Sequence, residues 1–367
     1  MTGVAFRSIL LTPNLLGTDG VSSLSREIVR ALPEPSLVLS LHDDAGGRGE
    51  LPPRVTMRGA NGHRARFLAA VARAALQCSS TTDIVCSHLH LAPAATLLAW
   101  RGGPVTIVLC GIEAWVPLRT TERWALERAA LVAISQHTVD RFTQANPTFA
   151  STDVVVCHPG LPAHAGPRAV GSPSAAPTAL IVARMSAAER YKGHDTLLDI
   201  WPDVLARRPD ARLVVAGDGD DRPRLESRAA SLGLAHAVRF VGRVSDEDLG
   251  GLYARCRVFV MPSRDEGFGL VFLEAMRAGK PCIGARGAAA EIIQHEVTGL
   301  IVDPGSPGNN VELTAAVLRL FDEPDTACRF GAAGRERFLS TFTDDHFRAR
   351  FARAMECRRL PVRVIAS

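Results

Sequence analysis

The chain has 367 residues, 47% hydrophobic and 22% charged, which suits a globular protein of two ordinary domains. A net charge of +4 is too mild to imply nucleic acid as a partner, and no apolar run approaches the roughly 20 residues that cross a bilayer. Eight scattered cysteines without a C-x-x-C pair argue for reduced, mostly buried thiols rather than a disulfide framework or a zinc site.

The first residues lack the charged start and apolar core of a secretory signal and read as a first strand, Val4–Leu11. A cytoplasmic location is therefore expected. Helical spacing follows over Val21–Leu32, then a strand at Leu37–Leu41 and a helix at Ala65–Leu76. Further strands are expected at Asp83–Ser87, Val105–Leu109 and Leu131–Ile134, a helix at Thr138–Gln144, and a strand at Asp153–Cys157. That alternation predicts a parallel sheet with helices on both faces. The Pro-, Gly-, Ala- and Ser-rich stretch Ala163–Pro177 has no periodicity and reads as an interdomain linker. The pattern then restarts: strand Ala179–Ala183, helix Gly193–Arg207, strand Ala211–Ala216, helix Arg222–Leu232, strands Val238–Val241 and Val258–Met261. A helix over Leu270–Ala278 stops at Gly279, and a last helix covers Asp344–Glu356. The expected organisation is an α/β protein of two doubly wound Rossmann-like domains facing a cleft. Its bounds are 1–165, a linker at 166–177, a second domain at 178–343, and a C-terminal helix within 344–367.

The most informative segment is Pro262–Glu274. It places Glu266 and Glu274 eight residues apart around a Gly-Phe-Gly turn, between a strand and a helix. Strand, glycine turn and helix present backbone N–H groups and a positive helix end to an anion. Glu274 falls one turn inside the helix, roughly 6 Å from its tip, where it could accept from the hydroxyls of a ribose attached to that anion. Glu266, before the turn, would face the group beyond the phosphate. The segment reads as a site for a nucleotide joined through phosphate to something polar. Forty of the 42 basic residues are arginine, and the two lysines, Lys192 and Lys280, both fall in motif segments. A compact ammonium at Lys192 suits a phosphate.

This arrangement resembles the E-x7-E motif of the retaining GT-B glycosyltransferases, most closely glycosyltransferase family 4. Val182-Ala-Arg-Met185 with Tyr191-Lys-Gly-His194, Val215-Ala-Gly-Asp-Gly219, Gly279-Lys-Pro281 and Thr298-Gly-Leu300 fall in the family's order and spacing. The resemblance is strong over residues 178–337 and weak before them. It implies a hexosyltransferase acting from a nucleoside-diphosphate sugar on a hydroxyl acceptor, with retention of configuration and no cofactor. No metal is expected either, because the acidic pairs Asp43-Asp44, Asp220-Asp221 and Asp265-Glu266 do not suit a divalent ion. Arg184 and Lys192 would clamp the diphosphate together with the Phe268, Gly269 and Leu270 turn. Glu274 would hold ribose and Glu266 the transferred sugar. Gly217, in a G-x-G turn with Gly219, and Gly20, in the loop after the first strand, would let backbone approach the donor; for either, an ordinary turn is the alternative.

The acceptor side is less defined. His88 and His90 share a strand face and could hold a metal, though no third ligand lies near in sequence; contact with substrate is the other reading. Cys110 stands where many relatives carry a histidine that touches the sugar, so Cys110, Glu113 or His88 could serve acceptor or sugar. The Ala65–Leu76 helix carries Arg66 and Arg73 near an apolar face, so either peripheral membrane contact or ordinary core packing fits it. The competing functions are an inverting transferase or a sugar-nucleotide epimerase, each needing a base such as His88, and an inactive sugar-nucleotide-binding module.

Overall fold

Every residue of Ser8–Thr12 and of Ser36–Ser40 is buried, with no alternation. A strand buried on both faces needs helices on both sides, which is the condition of a parallel sheet. In a computed structural model of the chain, which describes residues 6–44, 51–101, 103–164, 176–303 and 310–357, such strands form two separate sheets. The chain divides into two units. Unit 1 holds the residues up to Gly160 together with those from Asp344 onward, and unit 2 holds Leu161–Thr343.

Unit 1 contains strands β1 Ser8–Thr12, β2 Ser36–Ser40, β3 Val55–Gly59, β4 Asp83–Cys86, β5 Val105–Leu109, β6 Ala130–Ala133 and β7 Val154–Val156. Its helices are α1 Gly20–Ala31, α2 Arg64–Ala75, α3 Ala92–Leu98, α4 Thr120–Leu126 and α5 Gln136–Ala145. The seven strands pair in parallel in the order β3-β2-β1-β4-β5-β6-β7.

Unit 2 runs β8 Thr178–Val182, α6 His194–Arg207, β9 Arg212–Ala216, α7 Arg222–Ser231, β10 Val238–Gly242, α8 Asp246–Arg255 and β11 Val258–Met261. It continues with α9 Leu270–Arg277, β12 Cys282–Ala285, α10 Ala289–Ile292, β13 Gly299–Val302, α11 Val311–Asp322 and α12 Pro324–Thr341. Its order, β10-β9-β8-β11-β12-β13, repeats the logic of unit 1, with the chain winding outward in one direction and then in the other. This is the doubly wound topology expected of the sequence. The final helix, α13 Asp344–Cys357, packs on α1 within unit 1.

The first described strand runs from Ser8, with Val4 and Ala5 of the expected strand outside the described residues, and β3, α3, α4, α8, β12, α10, β13, α11 and α12 are additions to the elements expected. The linker stretch lies largely at 165–175, outside the described residues. The cysteine expectation meets five buried free thiols among the described residues, with Cys110 half-buried and Cys328 exposed.

One close approach shapes the donor-side sheet. Gly217 has φ 126°, and a Cβ there would stand 2.0 Å from the Ala183 carbonyl oxygen. Only glycine lets the ends of β8 and β9 come together. Gly217→Ala is expected to cost about 3 kcal/mol in urea unfolding, from strain and collision together. A wild-type unfolding midpoint would contradict it.

Candidate functional site

Open doubly wound sheets bind ligands beyond the carboxyl ends of the strands, where the winding direction reverses. In unit 2 that point lies between β8 and β11; in unit 1 it lies between β1 and β4.

In unit 2, β8 leads into Arg184 and the 3-10 turn Ala187–Lys192, and β11 leads into Pro262–Gly269. The Arg264 amide donates to the Tyr191 carbonyl at 3.1 Å and ties the two segments together. Gly193, at φ 92°, brings its backbone against Pro262: a Cβ would stand 2.7 Å from the proline Cγ. This places Lys192 beside Glu266. The Lys192 Nζ donates to Glu266 Oε2 at 2.7 Å, with the two side chains 18% and 17% exposed. The ammonium also lies 5.3 Å from the Tyr191 ring centre. Lys192, assigned from sequence to the diphosphate, and Glu266, assigned to the transferred sugar, are thus direct partners.

Arg184 has a different environment. It is 63% exposed and holds Glu189 through two hydrogen bonds, 3.0 Å from Nε and 2.6 Å from Nη2. Glu189 had no place in the sequence reading, and the pair is a surface one.

The turn after Glu266 is sharp. Gly269 has φ 97°, and a Cβ there would meet Phe272 Cδ2 at 2.7 Å. The chain enters α9 directly, so Leu270 occupies its first turn. Phe268 is buried, its ring 6.1 Å from that of Phe342, and anchors the turn through its side chain. Glu274 is half-buried one turn along α9 and accepts a 2.8 Å hydrogen bond from the Tyr253 hydroxyl on α8. Burial pushes the Glu274 carboxyl above its ordinary range, and the Tyr253 hydrogen bond opposes that rise. Burial also pushes the Tyr253 hydroxyl well up, so Tyr253 stays a donor. Tyr253 was not foreseen, because nothing local connects positions 21 residues apart.

A charged cluster ties the start of α6 to the start of α7. Arg224 bridges Asp195, at 2.8 and 2.6 Å, and Asp221, at 2.7 and 2.6 Å; Arg190 reaches Asp221 at 3.2 Å. Asp221 immediately precedes α7, but its side chain binds arginines and makes no cap bond. Among these charges His194 is 5% exposed, its Nε2 has no partner, and burial depresses its pKa to about 4. The folded state therefore keeps His194 neutral while the unfolded chain protonates near pH 6.5. Stability from this group is full above pH 6.5 and is lost as pH falls towards 4, by about 3 kcal/mol. His194→Gln is expected to flatten the stability profile across that window in pH-dependent unfolding; an unchanged slope would contradict it.

In unit 1, β4 ends at Cys86, one residue earlier than expected, and Leu89–Leu91 forms a 3-10 turn. His88 and His90 therefore do not share a strand face, which removes the geometric basis for a histidine metal pair. The His88 Nδ1 accepts from the His90 amide at 3.3 Å, while the exposed His90 Nδ1 lies 2.9 Å from Glu122 Oε1. Burial lowers the His88 pKa, against the pull of Glu113. The arrangement assigns a neutral His88 with its proton on Nε2. Cys110, after β5, donates from Sγ to the Ser87 carbonyl at 3.1 Å, and its amide donates to Glu113 Oε1 at 2.8 Å. Burial first, then Glu113, keeps its thiol protonated. His88, Cys110 and Glu113 thus gather beyond the carboxyl ends of β4 and β5, beside the switch point of unit 1. Gly20 opens α1 after the cap residue Asp19, whose carboxylate accepts from the Ser22 amide at 3.0 Å. A Cβ at Gly20 would meet nothing within 4 Å, so packing does not require glycine there.

Residues 168–337, which contain the whole unit 2 site, match the family model described as "Glycosyl transferases group 1". The GDP-mannose-dependent alpha-(1-6)-phosphatidylinositol monomannoside mannosyltransferase of Mycobacterium tuberculosis is 39% identical over 170 residues, 44% of this chain and 43% of that one. The glycogen synthase of the same organism is 29% identical over 276 residues, 74% of this chain and 63% of that one. The chain spans about half the length of the curated mannosyltransferases it matches. Among solved structures, Anabaena Alr3699/HepE in complex with UDP and glucose superposes with a TM-score of 0.76 at 21% identity, covering 95% of this chain and 99% of that one. Sucrose-phosphate synthase from Thermosynechococcus elongatus gives 0.72 at 19% identity, covering 96% and 98%. The fold is GT-B: two parallel-sheet Rossmann-like domains.

Proposed function

We propose that the chain is a glycosyltransferase that moves a hexosyl unit from a nucleoside-diphosphate sugar to a hydroxyl acceptor, retaining the anomeric configuration and using no divalent metal. Unit 2 binds the donor and unit 1 the acceptor. The observation that carries this is the Lys192–Glu266 pair, held at 2.7 Å immediately before the glycine entry to α9, with Glu274 one turn inside that helix. A diphosphate at the helix tip meets the Leu270 amide, the helix dipole and the Lys192 ammonium. Glu274 then accepts from ribose with Tyr253 bracing it, and Glu266 faces the sugar. Arg184 joins the clamp by exchanging Glu189 for phosphate.

In this reading the acceptor oxygen attacks C1 from the side of the leaving group. The C1–O bond to phosphate breaks, the new C1–O bond forms on the same face, and the departing phosphate oxygen takes the acceptor proton. The inverting alternative needs a base in unit 1. The His88 tautomer argues against His88 as that base, since its Nδ1 lone pair is taken by the His90 amide and its Nε2 carries the proton.

GDP-mannose and UDP-glucose are the first donors to test, because the mannosyltransferase relatives and the HepE structures carry those ligands in their names. Proton NMR of the product should show the anomeric configuration of the donor, with transfer surviving excess EDTA. An inverted product would overturn retention. Activity lost in EDTA and restored by Mg²⁺ or Mn²⁺ would overturn metal independence and reassign Asp265 and Glu266 as ligands.

A further inference from the structure

Helix α2 buries Phe67, Val71 and Ala74 against its sheet. Its opposite side should be polar, yet it exposes Ala65, Leu68, Ala69, Ala72 and Leu76, positions that share one helical stripe. Leu68 and Leu76 are 55% and 68% exposed. The neighbouring helix α3 packs on α2 and adds Leu97, 60% exposed, with Trp100 in the turn after it 68% exposed; α4 packs on α3 and adds Trp124 at 36%. Exposed leucine and tryptophan recurring on and beside three helices that pack side by side call for a covering partner.

The charges around the layer say which partner. Arg64, Arg66 and Arg73 on α2 have no acidic partner among the described residues, and Arg101 and Arg128 lie over the Trp100 and Trp124 rings at 5.7 and 5.2 Å. At the C-terminal end of α2, a groove of about 600 Å³ opens beside the edge strand β3, lined by Arg54, Arg58, Gln77 and Pro53. A second recess of about 370 Å³ continues from Arg58 to Arg73 and Leu76. Arg54, Arg58 and Arg73 line these recesses and have no counter-ion among the described residues. A second copy of the chain would set arginine against arginine across a two-fold interface, which disfavours self-association. A bilayer surface instead offers an apolar boundary for leucine, an interfacial zone for tryptophan and phosphates for arginine.

We infer that the α2–α3–α4 face of unit 1 docks on an anionic phospholipid bilayer, with headgroup phosphates in the arginine-lined groove. This goes beyond the proposed transfer reaction, and its test does not depend on activity.

The test is co-sedimentation of the full chain with vesicles of phosphatidylcholine alone or mixed with phosphatidylglycerol. The chain is expected to sediment with the mixed vesicles and to be released by high salt. Exchanging Arg54, Arg58 or Arg73 singly for Gln should lower partitioning about fivefold each. The exposed substitutions Leu68→Ser, Leu76→Ser and Trp100→Ser, combined, should abolish it while leaving the circular dichroism spectrum and thermal midpoint unchanged. Brominated lipid should quench Trp100 fluorescence in a Trp124→Phe background. No sedimentation with mixed vesicles, equal sedimentation with neutral ones, or a solution dimer broken by the triple substitution would each overturn the inference.

Discussion

Glu266→Ala is expected to lower kcat by about 10²–10³ while leaving KM for the donor unchanged or reduced. The split follows from the pair that Glu266 makes. Its carboxylate holds the Lys192 ammonium at 2.7 Å in a mostly enclosed setting. Deleting the carboxylate frees a cation for the donor phosphate, so ground-state binding does not suffer. The contact to the reacting sugar is lost, and turnover falls. Lys192→Ala should behave differently. It leaves Glu266 uncompensated beside the diphosphate, so KM rises as kcat falls. Steady-state kinetics on both variants decide the matter. Equal effects on KM and kcat in the two variants, or near-wild-type rates in either, would contradict these roles.

Glu274→Ala is expected to weaken donor binding by about 10²-fold or more, with little effect on binding of the free sugar. A half-buried carboxylate accepting from two ribose hydroxyls loses charge-assisted hydrogen bonds worth about 1.5–3 kcal/mol each. Tyr253→Phe serves as the graded control. It removes only the 2.8 Å hydrogen bond that braces Glu274, and it should cost less than Glu274→Ala. Because burial raises the Glu274 pKa, donor affinity should also fall as pH drops towards the upper carboxylate range, where protonation removes an acceptor. Calorimetry across pH on the wild type and both variants would show this. A Glu274→Ala chain that binds donor normally would contradict the ribose assignment.

The central strands were legible because they are buried on both faces and read as continuous apolar runs; Val105–Leu109 and Val258–Met261 match residue for residue. Strand β3 escaped notice because Val55-Thr-Met-Arg-Gly59 is a half-exposed edge strand with a polar pattern. Helix α8 carries Gly250 and Gly251 in its interior, which obscured its periodicity. Its start signal was present all the same: the Ser245 hydroxyl caps the Asp248 amide at 3.1 Å. The site shows the same division. Gly269 and the entry to α9 follow from local chemistry, and the sequence places them. Tyr253 beneath Glu274, Glu189 beside Arg184, and the direct Lys192–Glu266 contact depend on tertiary approach, and no spacing rule announces them. The histidine pair misled because a strand was extended past Cys86 into a turn that begins at Leu89.

Hydrogen–deuterium exchange with and without donor tests the central claim most directly, because it locates the ligand. With GDP-mannose or UDP-glucose at saturation, the account predicts protection at 184–197 and at 262–274, including the Leu270 amide, and loss of that protection in Glu274→Ala. Saturating donor that leaves both segments unprotected, or that protects only unit 1, would contradict it.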